Sequence, residues 1–228
     1  MKMGPFKIIA EMTTGQIATT DRFLPIDSIL SYAWIKLNMP DALYNSNPDA
    51  LTAEKLIKPE LPLEKRTMKN EWYWAASFAV YQASGEFITY WHKRFDKEFE
   101  RFLGGKKLTF SPQSGRFRSY RMPLLGNLAE RIVWYCYGDP EEALKLLKDG
   151  AVTHIGKKRS SGYGLVKEWI IEECDKDYSE VGPEGELMRA MLELPTGIEK
   201  GGITLREYGI RPPYWHRDNI FKCMVPVR

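Results

Sequence analysis

Apolar and polar side chains alternate at the start of the chain. Phe6, Ile8 and Ala10 fall on one side of an extended segment, Ile9 and Glu11 on the other. This period of two predicts a strand over 6–12, a turn at Thr13-Thr14-Gly15 and a short return strand over 16–20. The period then changes. Ile26, Ile29, Leu30, Ala33, Trp34 and Leu37 recur at helical spacing. They predict an amphipathic helix whose first turn suits Pro25 and Asp27 and which stops at Met39-Pro40.

Residues 38–70 are polar and carry four prolines, so they read as a long insertion with a short helix near 51–57. The aromatic, β-prone stretches 71–81 and 86–94 are expected to form one hairpin around Ala83-Ser84-Gly85. A short helix over 96–103 would end at Gly104-Gly105. Residues 106–121 then read as a projecting basic hairpin, with arms KKLTF and RFRSYR around a Ser-Pro-Gln-Ser-Gly turn. A strand follows over 130–137. Asp139-Pro140-Glu141-Glu142 opens a second helix: Asp139 can cap it, Pro140 fits its first position, and the glutamates favour its positive end. Ala143, Leu144 and Leu147 form its buried stripe, and Gly150 can terminate it. Strands are expected over 165–171, 203–208 and 219–227. The order predicts an α+β fold with an antiparallel sheet backed by two helices.

Charge adds a distribution. The net charge is only +3, but Lys106 to Arg121 holds five basic residues and no acid, and Gly156 to Lys167 holds four and no acid. Glu168 to Glu186 carries eight acids and one lysine. Such a split fits a basic groove opposite an acidic side, or simply solvated faces. Three distant cysteines offer no metal-ligand spacing and read as reduced and mostly buried. The N-terminal apolar run is too short for a signal peptide's core, and no run reaches the length of a membrane span. The chain is expected in the cytoplasm, with no membrane contact and no cofactor.

The segment HIGKKRSSGYGLV carries the most specific chemistry. Gly156, Gly162 and Gly164 permit positive φ and close backbone approach, so exposed amides could cradle an anion. Lys157, Lys158 and Arg159 add charge for phosphates, Ser160 and Ser161 add hydroxyls, and Tyr163 offers a ring to a base or to a neighbouring strand. His154 lies two residues before the loop. The segment lacks GxxxxGK[ST]. Its G-Y-G follows a helix and precedes a strand, the reverse of a dinucleotide fingerprint. An ordinary basic turn remains the plain alternative.

Helix, glycine-rich basic loop, strand: this arrangement resembles the RAMP superfamily of CRISPR-associated proteins, and Leu24-Pro25-Ile26-Asp27-Ser28-Ile29-Leu30 resembles the start of their first helix. Size and pattern look most like the Cas-five-type subunit of type IV effector complexes. The resemblance implies a ferredoxin-like (RRM-like) domain over 1–172, with insertions at 38–70 and 95–128, and a C-terminal extension over 173–228. It implies an antiviral ribonucleoprotein subunit that caps the 5′ handle of a CRISPR RNA and contacts backbone and large subunits. Contact with target DNA stays open. Gly156 to Gly164, with His154 before them, would bind the RNA. Lys106, Lys107, Arg116, Arg118 and Arg121 would belong to an RNA-binding thumb.

Related members cut precursor RNA, so the alternative is a metal-independent endoribonuclease. Such cleavage needs a base, an acid and cationic stabilisation. His92, His154 and His216 are the candidates, and none has a second histidine nearby in sequence. No catalytic or metal-ligating residue is therefore assigned. Asp139, Glu141 and Glu142 read as a helix N-terminus rather than a metal site.

Overall fold

The computed structural model describes residues 3–19, 23–43, 57–94, 98, 113–115, 118–196, 198 and 202–227. Its first strand, β1 (Gly4–Met12), runs at the centre of a sheet and is followed by the short β2 (Gln16–Ala18) and helix α1 (Ile26–Asn38). Strands β3 (Lys65–Met68) and β4 (Glu71–Trp74) come next, then β5 (Gly85–Lys93), β6 (Tyr120–Leu128) and β7 (Arg131–Gly138). Helix α2 (Pro140–Asp149), β8 (Val166–Glu173), β9 (Ile203–Gly209) and β10 (Ile220–Pro226) complete the order.

The central sheet is β7-β1-β8, antiparallel on both sides of β1. Ile8 lies opposite Trp134 on one neighbour and Ile171 on the other. Because β7 and β8 flank the same strand in the same direction, α2 crosses over β1 to connect them. Bridges Ala76–Cys136 and Val80–Val133 set the 76–80 segment along the outer edge of β7. The helices close one face: Ile26, Leu30 and Ala33 of α1 and Ala143 and Leu147 of α2 are buried with Phe6, Ile8, Ala10, Ile132 and Trp134. Periodicity anticipated that stripe, because a helix with one apolar face must bury it. Asp139 caps α2 as expected, accepting from the amides of Glu141 and Glu142 at 3.1 Å each. The architecture is thus α+β, mostly antiparallel, with two helices.

Two expectations about pairing are corrected. The 71–81 and 86–94 stretches do not form one hairpin. β4 pairs with β3 instead, through Lys69-Asn70, whose φ values of 49° and 67° are both positive. A two-residue turn of that hand matches the twist of the flanking strands, but Lys-Asn lacks the glycine that would announce it. β5 pairs with β6, from Gly85–Leu128 to Lys93–Tyr120, and β2 adds to the other side of β6. Tyr120 and Arg121, expected to pair within a 106–121 hairpin, therefore begin a strand that faces β5. Non-local pairing overrode the nearer turn signal. The helices expected over 51–57 and 96–103 and the KKLTF arm fall almost wholly outside the described residues.

The C-terminal part packs on the edge of this core. Phe78 donates its amide to the Met188 carbonyl at 2.8 Å, and Met191 bridges Met224 of β10. Buried Arg189 holds the seam, its guanidinium donating to the carbonyls of Trp74, Ala76 and Ile210.

Candidate nucleic-acid interface

The glycine-rich loop connects α2 to β8 and is pinned from both ends. His154 bridges Leu165 across its stem, and Ile155 donates to the Gly164 carbonyl at 2.8 Å. Two further bonds dock it on β2, from Lys157 to the Ala18 carbonyl and from Gly164 to that of Gln16, both 2.7 Å. The glycines are required by this docking. At Gly156 (φ +82°) a Cβ would stand 2.5 Å from the Ala18 oxygen; at Gly164 (φ +71°) it would stand 1.8 Å from the Ile155 oxygen. Both positions combine left-handed backbone with a contact that admits no side chain.

The docking changes the expected chemistry. The amides of Lys157, Ser161, Gly162 and Gly164 are spent on internal carbonyls. Lys158 takes left-handed backbone (φ 58°), and Arg159–Ser161 form a short 3-10 turn. A cup of free amides is therefore partly closed, and the loop also presents its side chains. These diverge. Lys158 Nζ sits 3.3 Å from the ring centroid of Trp91 on β5. Arg159 turns the other way, donating from Nη1 to the Tyr32 hydroxyl of α1 at 3.0 Å with its guanidinium 5.2 Å from that ring. Lys157, Ser160 and Ser161 are exposed. The cations form a strip running from α1 to the β5–β6 ribbon rather than converging on one point. A strip of cations suits a polyanion better than a single phosphate.

Tyr163 stacks on Phe87 of β5, with ring centroids 5.6 Å apart and planes 20° off parallel. Of its two anticipated partners it takes the neighbouring strand. The ribbon continues the surface beyond the loop. Phe87, Trp91 and Tyr120 share one face by register, and Trp91 and Tyr120 lie 4.9 Å apart. On the opposite face Arg121 stands 3.8 Å over the Tyr90 ring. Each of these cation–ring contacts contributes about 0.5–1 kcal/mol where exposed. They hold side chains in place more than they hold the fold together.

Of the other expected residues, Arg118 is exposed and Arg121 lies on β6, while Lys106, Lys107 and Arg116 lie outside the described residues. His154 is half-buried, with Nδ1 3.0 Å from the Thr153 hydroxyl. Phe87, Tyr90, Trp91 and Tyr32 were not singled out from sequence. The alternation in Phe-Ile-Thr-Tyr-Trp-His-Lys shows that this strand is aromatic, but only the fold shows that Trp91 meets Lys158.

No group of side chains among the described residues could hold a metal ion. Several strongly shifted ionisable groups lie in the core instead. Desolvation raises Asp27 to about 6 despite Arg189 nearby, and it pushes the buried Cys136 thiol well up and Cys223 up to about 11. All three cysteines are free. No helix among the described residues is long and apolar enough to cross a membrane.

No curated protein matches the chain. A chain in the cryo-EM structure of the Type III-B Cmr-beta bound to cognate target RNA is similar at 13% identity and a TM-score of 0.38; the match covers 75% of this chain and 61% of that one. Residues 4–226 match the family described as CRISPR type IV associated protein Csf3. That match spans nearly the whole sequence, the basic loop and the ribbon included, and the chain belongs to this type IV CRISPR-associated family.

Proposed function

We propose that this protein is the guide-RNA-binding subunit of a type IV effector ribonucleoprotein. It grips the 5′ handle of the CRISPR RNA along the 156–164 loop and contacts backbone and large subunits. The observation that carries this reading is the strip: Lys158 and Arg159 diverge to Trp91 and Tyr32, with Lys157 exposed beside them, on a loop that two bonds to β2 hold in place. Divergent cations on a fixed mount engage successive phosphates without reordering the loop, which lowers the entropic cost of binding. Family membership supports the setting.

The core is read as ferredoxin-like. Supporting this, β7 and β8 flank β1 with α2 crossing between them, and the 76–80 segment extends the sheet beyond β7. The role is binding rather than cleavage, in the cytoplasm, with target DNA as a further contact of the assembled complex.

The test is filter binding of repeat-derived RNA at several salt concentrations. Wild-type affinity should fall with salt, and the Lys157→Ala/Lys158→Ala/Arg159→Ala variant should lose at least tenfold. Unchanged affinity in that variant removes the loop from the RNA interface. Repeat RNA incubated with the protein in EDTA should stay intact; specific cleavage there would make the protein an endoribonuclease.

A further inference from the structure

The far end of the β5–β6 ribbon holds a groove distinct from the glycine loop. Tyr90, His92, Lys93, Arg94, Tyr120 and Arg121 line a space of about 530 Å³. That volume lies in the range that small-molecule sites occupy, about 300–1,000 Å³, and is ample for one nucleotide. Its described lining carries three cations and no carboxylate, so it favours an anion. Its aromatic part is accessible: Tyr90 remains 47% exposed even with the Arg121 guanidinium 3.8 Å over its ring.

The groove meets the surface that extends from the loop at Tyr120. Lys158 rests on Trp91, Trp91 packs against Tyr120 at 4.9 Å, and Tyr120 lines the groove. These contacts run along one face of the ribbon as far as Tyr120, and Tyr90 and Arg121 stand on the other face. A planar aromatic group beside a planar guanidinium offers stacking area to any base, whereas charge alone offers none. A base within a duplex has both faces covered by its neighbours and cannot use that area.

We propose that this groove takes an unpaired nucleotide of the bound RNA strand, its base against the Tyr90–Arg121 stack and its phosphate facing Arg94. The inference rests on the reading of the loop as an RNA site. It adds that the ribbon selects single-stranded over paired RNA and does so through base stacking.

The experiment is fluorescence anisotropy of the full chain with a short single-stranded RNA and with the same sequence as a blunt RNA duplex. Tyr90→Ala should weaken single-strand binding roughly 5- to 100-fold, and Tyr90→Phe should stay within about twofold because the ring remains. Arg121→Ala should weaken it too. Duplex binding should not respond to Tyr90→Ala. Thermal melts of these surface variants should match wild type, which separates a binding defect from misfolding. If Tyr90→Ala and Arg121→Ala bind single strands as wild type does, while the Lys157/Lys158/Arg159 variant loses affinity, the groove proposal falls and the loop reading stands. If the loop variant also binds as wild type, both fall. Equal losses on single strand and duplex would show charge rather than stacking, and would overturn the proposal.

Discussion

The Tyr214 hydroxyl lies 2.9 Å from each carboxylate oxygen of Asp27. It donates from the C-terminal part of the chain into the first turn of α1, where Asp27 is buried and Tyr214 half-buried. A carboxylate taken out of water needs such a donor. Removing the donor with Tyr214→Phe should cost about 1.5–3 kcal/mol, the range for a hydrogen bond to a charged group. Urea denaturation near neutral pH measures it.

Asp27 also gives the fold a pH dependence. Burial raises its carboxyl from 3.8 to about 6, so between those values the folded state binds more proton than the unfolded chain. The group's contribution is full below its unfolded value and is lost as pH rises through the folded one. Relative to Asp27→Asn, wild type should lose on the order of 2–3 kcal/mol between about pH 4 and pH 7. A constant difference between the two proteins across that range would contradict the assignment.

Arg189 is the second element of the same seam. It is buried, lies over Tyr73 at 4.6 Å and supplies three backbone carbonyls from distant segments. Arg189→Met keeps much of the volume but strands those carbonyls and takes the nearby cation from Asp27. The expected cost is about 3–5 kcal/mol. Limited proteolysis should show earlier cleavage in the 175–227 region than in wild type.

The loop glycines should separate by geometry. Gly162 has positive φ but open space around its missing Cβ, whereas Gly164 has positive φ and a backbone oxygen in the way. Gly162→Ala should cost about 1–2 kcal/mol and leave RNA affinity near wild type. Gly164→Ala should cost more and weaken RNA binding as well, because the bond to Gln16 that positions the cations breaks. Melting curves and binding isotherms on the two variants decide this.

Salt dependence reports how many phosphates the strip meets. If Lys157, Lys158 and Arg159 each neutralise one, removing all three should flatten the slope of log affinity against log salt by about 2 for a single strand. A slope unchanged alongside weaker binding would assign the loss to loop distortion.

Much of the frame was legible because local rules govern it. Asp139-Pro140 announced α2, and the Ile26–Leu37 stripe announced α1, since caps and periodicity act within a few residues. The glycine loop was legible for the same reason: left-handed backbone at Gly156, Gly162 and Gly164 is a local demand. The partner of β5 was not, because strand pairing is decided by distant edges and the Ala83-Ser84-Gly85 turn signal pointed to the wrong neighbour.

The linear chain, then, determined which residues could turn, cap, or carry charge; it placed Lys157, Lys158 and Arg159 together on a glycine-hinged segment. Only the tertiary structure decided where those cations point and that four of the loop's amides are occupied. It bonded the loop to β2 and set β5 beside β6, which brought Trp91 beneath Lys158 and Tyr90 beside Arg121. Contacts between residues tens of positions apart depend on how separate elements pack, and no periodicity within one element encodes that.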